Sequence, residues 1–160
     1  MHSFKTVLLF FIIALMLSCS DDGRWKMASE IERAITLTSF PADTFIITDF
    51  GAISGDNSFL NTEAIKAAIR SCNDKGGGVV YVPAGTWHTG PVTMLSNVNL
   101  HVAESATLLF STNYELYLPP VLTRWEGMDC YNIHPLIYAR DASNIALTGK
   151  GTIDGQASNE

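Results

Sequence analysis

The chain has 160 residues, 47% of them hydrophobic and 16% charged, with ten Lys plus Arg against sixteen Asp plus Glu for a formal charge of −6. That apolar share supports a buried core and excludes a disordered chain. The acidic balance speaks against nucleic acid as a partner, although a single cleft can still be basic.

Residues 1–18 open with a short polar stretch carrying one cation, Lys5, then run apolar from residue 7 to residue 17 and end at Ser18 before Cys19. This is the layout of a secretory signal, and the apolar run is too short to span a bilayer as a helix. Removing it takes away Lys5 and no acid, which moves the formal charge to −7. Ser18-Cys19 at the end of such a run resembles the lipobox of bacterial lipoproteins, with Met16 where Leu is usual. The resemblance implies that Cys19 becomes an acylated N-terminus; an ordinary signal with an incidental Cys is the alternative. Ser20-Asp21-Asp22-Gly23 resembles the acidic export tag of Bacteroidetes surface lipoproteins, or is a solvated linker. The expected location is the outer membrane or cell surface, with the periplasm second. The expected partners are therefore a membrane, through the lipid anchor, and whatever the folded part binds.

Met27, Ala28, Ile31 and Ile35 lie near helical spacing, so residues 25–35 are expected as a short helix or ordered linker within a segment 19–43. Phe45-Ile46-Ile47-Thr48 is expected as a strand, and residues 49–57 as a loop rich in turn formers. A helix follows, with Asn61 as N-cap, Glu63 in the first turn, and Ile65, Ala68, Ile69 and Cys72 on one face. Gly76-Gly77-Gly78 stops it. The glycines are no phosphate loop, because no Lys-Ser or Lys-Thr follows and a strand comes next.

Short strands are then expected at residues 79–82, 86–89, 92–95 and 98–102, separated by two to four residues. Open βαβ units have no room for a crossover helix at each gap. Hairpins want Asn-Gly or Asp-Gly, and within residues 44–160 the only such dipeptide is Asp154-Gly155. A coil that turns a corner at every gap suits the spacing, which predicts a parallel β-solenoid over residues 44–160 with the 61–72 helix covering its first, otherwise open, turn. Ser96-Asn97-Val98-Asn99-Leu100 is echoed by Ser143-Asn144-Ile145-Ala146-Leu147, and Ala106-Thr107-Leu108-Leu109 by Gly151-Thr152-Ile153-Asp154. At roughly 20 to 25 residues per turn, that offset is read as about two turns.

Phe45-x-Ile47-x-Asp49-Phe50-Gly51-Ala52, Asn61-Thr62-x-Ala64-Ile65 and Gly76-Gly77-Gly78-Val79-Val80-x-Val82-Pro83-x-Gly85-x-Trp87-x-Thr89-Gly90 resemble the start of the pectate lyase-like right-handed β-helix superfamily. Thr123-Arg124-Trp125-Glu126-Gly127, Pro135-Leu136-Ile137-Tyr138-Ala139 and Gly149-Lys150-Gly151-Thr152-Ile153-Asp154-Gly155-Gln156 are similar to polygalacturonases of glycoside hydrolase family 28. The resemblance implies an all-β, right-handed parallel β-helix. It also implies an O-glycosyl hydrolase that cleaves α-1,4-galacturonide bonds of pectin with inversion, using a general-acid Asp and water-activating Asp residues. The family carries those carboxylates downstream of Gly151-Thr152-Ile153-Asp154-Gly155. No catalytic residue is therefore expected in this chain, which is read as the N-terminal part of a bacterial lipoprotein hydrolase, inactive by itself. After Gln156 the family continues with Gly and a Trp pair, where this chain has Ala157-Ser158-Asn159-Glu160.

Arg124, Trp125 and Glu126 are the candidate substrate-binding residues. A guanidinium can hold a galacturonate carboxylate bidentately, and an aromatic can stack on a sugar face. The competing reading pairs Arg124 with Glu126 or Asp129 in an internal salt bridge; that carboxylate pair is assigned a structural or subsite-lining role over acid–base chemistry. Asp154 is expected to shape a turn, His101 to face outward, His88 to be a surface or stacked histidine, and Trp87 to pack in the core or under the cap rather than serve as a sugar platform. Cys72 and Cys130, with 57 residues between them, are left as a disulfide or two buried thiols. With no Cys-x-x-Cys and no clustered His or acids, neither metal nor cofactor is expected. The expected ligand is pectin or an oligogalacturonide, bound by a monomer. A polysaccharide lyase and a non-catalytic glycan-binding or vestigial segment remain as alternatives.

Overall fold

The structure, a computed structural model, describes residues 22–157. The signal segment, Cys19 and residues 158–160 lie outside the described residues. The chain divides into two compact units that meet between Leu37 and Thr38. In the first, the amphipathic pattern forms helix α1, Asp22–Ala34, starting three residues before the expected position.

The second unit is mostly β. Its strands are β1 (Thr44–Ile46), β2 (Gly78–Val82), β3 (Gly85–Thr89), β4 (Val92–Thr93), β5 (Val98–Val102), β6 (Ala106–Phe110), β7 (Val121–Trp125), β8 (Met128–Asn132), β9 (Ile137–Tyr138), β10 (Ala146–Gly149) and β11 (Thr152–Asp154). They form three short parallel sheets, ordered β1-β2-β5-β10, β11-β6-β3 and β4-β9, and one antiparallel pair, β7-β8. Successive strands change sheet because each run of at most five residues ends in a corner. Asn97 and Ser105 turn two of these corners at φ 62° and 65°. The chain thus visits the three sheets in a repeating order, as β2, β3, β4, then β5, β6, β9, then β10, β11.

Alternation decides what is buried. Val80 and Val82, Val98, Leu100 and Val102, and Ala106, Leu108 and Phe110 point inward, while the residues between them face out. Register then stacks like on like: Val80 lies beside Leu100, Trp87 beside Leu108 and Thr89 beside Phe110. Trp87 is a core residue, as expected, and its indole N–H donates to the Pro83 carbonyl at 2.7 Å. Helix α2, Thr62–Asp74, lays Ala64, Ile65, Ala68, Ile69 and Cys72 against β1, β2 and the 3₁₀ turn Ile47–Phe50. That turn takes the last residues of the expected 45–48 strand.

Three expectations need correction. Val79 pairs with Asn99 and Thr86 with Thr107, a return of about 20 residues. The sequence echoes, however, are direct neighbours: Asn99 pairs with Ala146 and Thr107 with Thr152. Their offset is one turn, lengthened by an excursion between β6 and β9. That excursion contains the second correction, the hairpin β7-β8. Its two-residue turn is Glu126-Gly127, both at positive φ (47° and 86°), whereas Asp154-Gly155 turns no hairpin. The third concerns Asn61, whose side chain does not cap α2. It is fully buried, its Oδ1 accepts from the Ile53 N–H at 2.7 Å, and its Nδ2 donates to the carbonyls of Ile53 and His88, each at 3.0 Å. An amide matches both backbone groups of one residue at once, as a strand partner would, and so ties the 51–60 loop to the end of β3.

Gly149 marks a close approach. It sits at φ 103°, and a Cβ there would strike the Val102 carbonyl. Among the described residues Cys72 and Cys130 form no disulfide; Cys72 is fully buried and Cys130 half-buried. Burial, aided by the nearby Asp43 charge, pushes the Cys72 thiol up from 9.0 to about 11.

Two outcomes follow. Asn61→Ser, harmless at a true N-cap, is expected to cost about 2 kcal/mol or more, because a hydroxyl cannot serve three buried backbone groups; urea unfolding measures it. Iodoacetamide at pH 8 is expected to alkylate Cys130 in the native chain and to spare Cys72 until urea is added. The same thiol makes stability fall as pH rises from 9.0 towards about 11, since only the unfolded chain releases that proton readily in this window.

Candidate functional site

The excursion between β6 and β9 carries the candidate residues. It begins with a 3₁₀ turn, Tyr114–Tyr117, started by Asn113, whose Oδ1 accepts from the Glu115 N–H at 3.1 Å. Tyr117 turns inward and donates its hydroxyl to the Ser111 carbonyl at 2.7 Å, and its burial raises its pKa. The hairpin β7-β8 then projects from the body. Arg124 faces Asp129 across the ladder, and Trp125 faces Met128.

Two bonds hold the hairpin's base. Tyr138 on β9 donates its hydroxyl to the Leu122 carbonyl at 2.8 Å, and the His134 N–H donates to the Tyr117 carbonyl at 3.0 Å. The His134 ring packs edge-on to Tyr138 at 5.1 Å. Its Nδ1 lies 2.6 Å from the Pro135 carbonyl, which can only accept, so Nδ1 donates there, and Nε2 lies 3.0 Å from the Thr93 hydroxyl. The motifs quoted from the sequence contain neither His134 nor Arg140, although both residues border this region.

Arg124 and Trp125 line a cavity of about 530 Å³ with Tyr114, Tyr117 and His134. Trp125 is 66% exposed, and the Arg124 guanidinium is 3.8 Å from Asp129, longer than a firm charge-assisted bond. The competing reading of Arg124 is thus met only loosely, and by Asp129. Glu126 stands at the hairpin tip and makes no ion pair among the described residues. The three candidates share one exposed hairpin end, where they can hold a ligand that carries carboxylates and a flat apolar face. A larger cavity, about 710 Å³, lies between α2 and β4; it is lined mainly by apolar groups such as Ile69, Val92 and Leu116, with Lys66 and Arg70.

The other residues weighed from sequence have structural surroundings. His101 stacks on Tyr81 at 5.6 Å on the outer face, and its Nδ1 is 2.9 Å from the Thr148 hydroxyl, which itself donates to Asn99. Asp154 shapes its turn by accepting from the Gln156 N–H at 2.8 Å. His88 faces outward over a small polar cavity, with Nδ1 buried and unpartnered among the described residues. Among the described residues, no group of three or more His, Cys, Asp or Glu side chains gathers.

No family model matches the chain. It is 30% identical over 164 residues to a "Probable polygalacturonase" of Vitis vinifera, which covers 97% of this chain and 33% of the relative. It is 34% identical over 128 residues to an exo-poly-alpha-D-galacturonosidase of Dickeya chrysanthemi, covering 75% of this chain and 21% of that one. The crystal structure of a hyperthermoactive exopolygalacturonase from Thermotoga maritima superposes with a TM-score of 0.77 at 42% identity, over 84% of this chain and 30% of its own. The chain is homologous to polygalacturonases. It spans about a third or less of the length of these relatives.

Because the hairpin stands off the body, Trp125→Ala and Arg124→Ala are each expected to change stability by less than about 1 kcal/mol. Thermal unfolding beside the unsubstituted chain checks this.

Proposed function

We propose that the chain is the N-terminal part of a pectin-degrading glycoside hydrolase, folded as the first turns of a right-handed parallel β-helix, that cleaves α-1,4-galacturonide bonds with inversion. Carrying the proposal is the hairpin end that sets Arg124 beside Trp125 over an aromatic-lined cavity, in a chain homologous to polygalacturonases. The repeating visit to three parallel sheets supports the fold reading. Arg124 pairs with a galacturonate carboxylate, Trp125 stacks on the sugar ring, and Glu126 accepts from sugar hydroxyls. By the resemblance to the family the catalytic Asp residues belong to segments downstream of Gly155, and the 160 residues are expected to release no product by themselves. Residues 1–18 direct export and Cys19 carries the lipid, holding a monomer at the outer membrane or cell surface.

The same exposed hairpin supports a second reading, a non-catalytic glycan-binding segment. Expression of the gene from its native locus and incubation with polygalacturonate separates these. The hydrolase is expected to liberate reducing ends without ultraviolet absorbance; an absorbing, unsaturated product identifies a lyase, and binding with neither product identifies the second reading. In the chain of 160 residues, Arg124→Ala is expected to weaken trigalacturonate binding about tenfold in calorimetry, the worth of one charge-assisted bond.

A further inference from the structure

Another cavity, of about 430 Å³, also borders Arg124 and lies between the hairpin and the segment around β9. Its charged walls are Arg124, Arg140 and Asp129, and Pro135, Ile137 and Ala139 add apolar surface. The volume falls within the roughly 300–1,000 Å³ of small-molecule sites. Two cations from separate segments thus face one space.

Their donors are largely unspent. Each guanidinium has five N–H donors and no acceptor. Arg124 meets Asp129 at 3.8 Å, and the Arg140 Nε lies 3.5 Å from Asp141, whose side chain is 91% exposed. Neither contact reaches the roughly 2.7–2.9 Å of a firm charge-assisted hydrogen bond. The neighbouring hydroxyls are already committed, Thr123 to the Cys130 carbonyl at 3.3 Å and Tyr138 to the Leu122 carbonyl at 2.8 Å. What the cavity offers a ligand is two planar cationic forks beside an apolar wall.

We propose that this cavity is a carboxylate-binding subsite, built by Arg140 with Arg124, that holds one uronate unit of a chain bound across the hairpin. Arg140 is then a specificity-determining residue. It selects carboxylated over neutral sugars, because a neutral ring offers the two guanidiniums no carboxylate beyond their loose contacts with Asp129 and Asp141. Asp129, opposite Arg124 in the ladder, competes with the ligand for that guanidinium. The identity of the anion as a uronate rests on the polygalacturonide reading above; the pairing of two arginines in one cavity does not.

Calorimetric titration of the full chain with digalacturonate, with its neutral galactose counterpart, and with inorganic sulfate tests this. Digalacturonate is expected to bind and the neutral disaccharide to bind at least about tenfold more weakly. Arg140→Gln is expected to cost about tenfold or more for digalacturonate alone, Arg140→Lys to recover only part because an ammonium is not a fork, and Asp129→Asn to tighten binding several-fold. Matching thermal unfolding of the variants shows that the effect is not one of folding. If Arg140→Gln leaves digalacturonate binding unchanged while Arg124→Gln abolishes it, the second subsite is overturned and the galacturonide reading stands. If sulfate binds and is lost in Arg140→Gln while digalacturonate does not bind, the cavity serves an inorganic oxyanion, and both the uronate assignment and the galacturonide reading are overturned. Equal losses for the charged and neutral disaccharides likewise overturn a carboxylate role.

Discussion

In the second unit, everything depends on the parallel register between β2 and β5 and between β3 and β6. A slip of one residue in either pair would turn Leu100 or Leu108 outward and bring His101 or Leu109 in, because side chains alternate with period two. Backbone bonds at the corners hold it too, the Gly78 N–H donating to the Asn97 carbonyl and the Gly85 N–H to the Ser105 carbonyl, each at 3.0 Å, and side chains continue the pattern from β5 to β10. The Asn97 side chain accepts from the Asn144 amide at 3.1 Å, the Ser96 hydroxyl oxygen accepts from the Ser143 N–H at 3.1 Å, and Asn144 also donates to the Ser39 carbonyl at 2.9 Å. Equivalent corner residues thus bond to one another one turn apart, and each turn starts from the same place.

That arrangement explains why an excursion is tolerated between β6 and β9. Closing a longer loop costs little, since the entropy penalty grows only with the logarithm of its length. The stack needs the ends of the loop, where Ser111 N–H donates to the Thr89 carbonyl at 2.8 Å and Val92 N–H donates to the Leu136 carbonyl at 2.9 Å. What lies between is free to carry exposed aromatic and cationic side chains. Binding residues and core residues are therefore largely separate sets. Leu136 belongs to both, packing on the core while lining the aromatic cavity.

The core was readable in the sequence because burial and spacing agree there. Ile65, Ala68, Ile69 and Cys72 fall on one helical face and are all buried, and in β5 the alternation places Val98, Leu100 and Val102 inside. The site was less readable. Thr123-Arg124-Trp125-Glu126-Gly127 stood out as a string, but Glu126 has no local signal for positive φ, so the hairpin that aligns Arg124 with Asp129 stayed hidden. Arg140 lies 16 positions from Arg124 in the chain, and nothing in either residue's neighbourhood announces the other. Asn61 was visible as a helix-start residue and hid a different task, because its partners at Ile53 and His88 are distant in sequence.

The sequence by itself determined which side chains are apolar, how often they recur and where Gly, Pro and Asn break the runs. Those are local properties, and they suffice for the α2 helix and for the strands β2, β3 and β5. Tertiary structure decided which turn lies beside which. The 45-residue and 47-residue echoes mark adjacent strands, not strands two turns apart, because an unpaired loop adds residues without adding a turn. It also decided that Arg124 borders two cavities, an outcome of hairpin register and of the bond from Tyr138 to Leu122, 16 positions away in the chain.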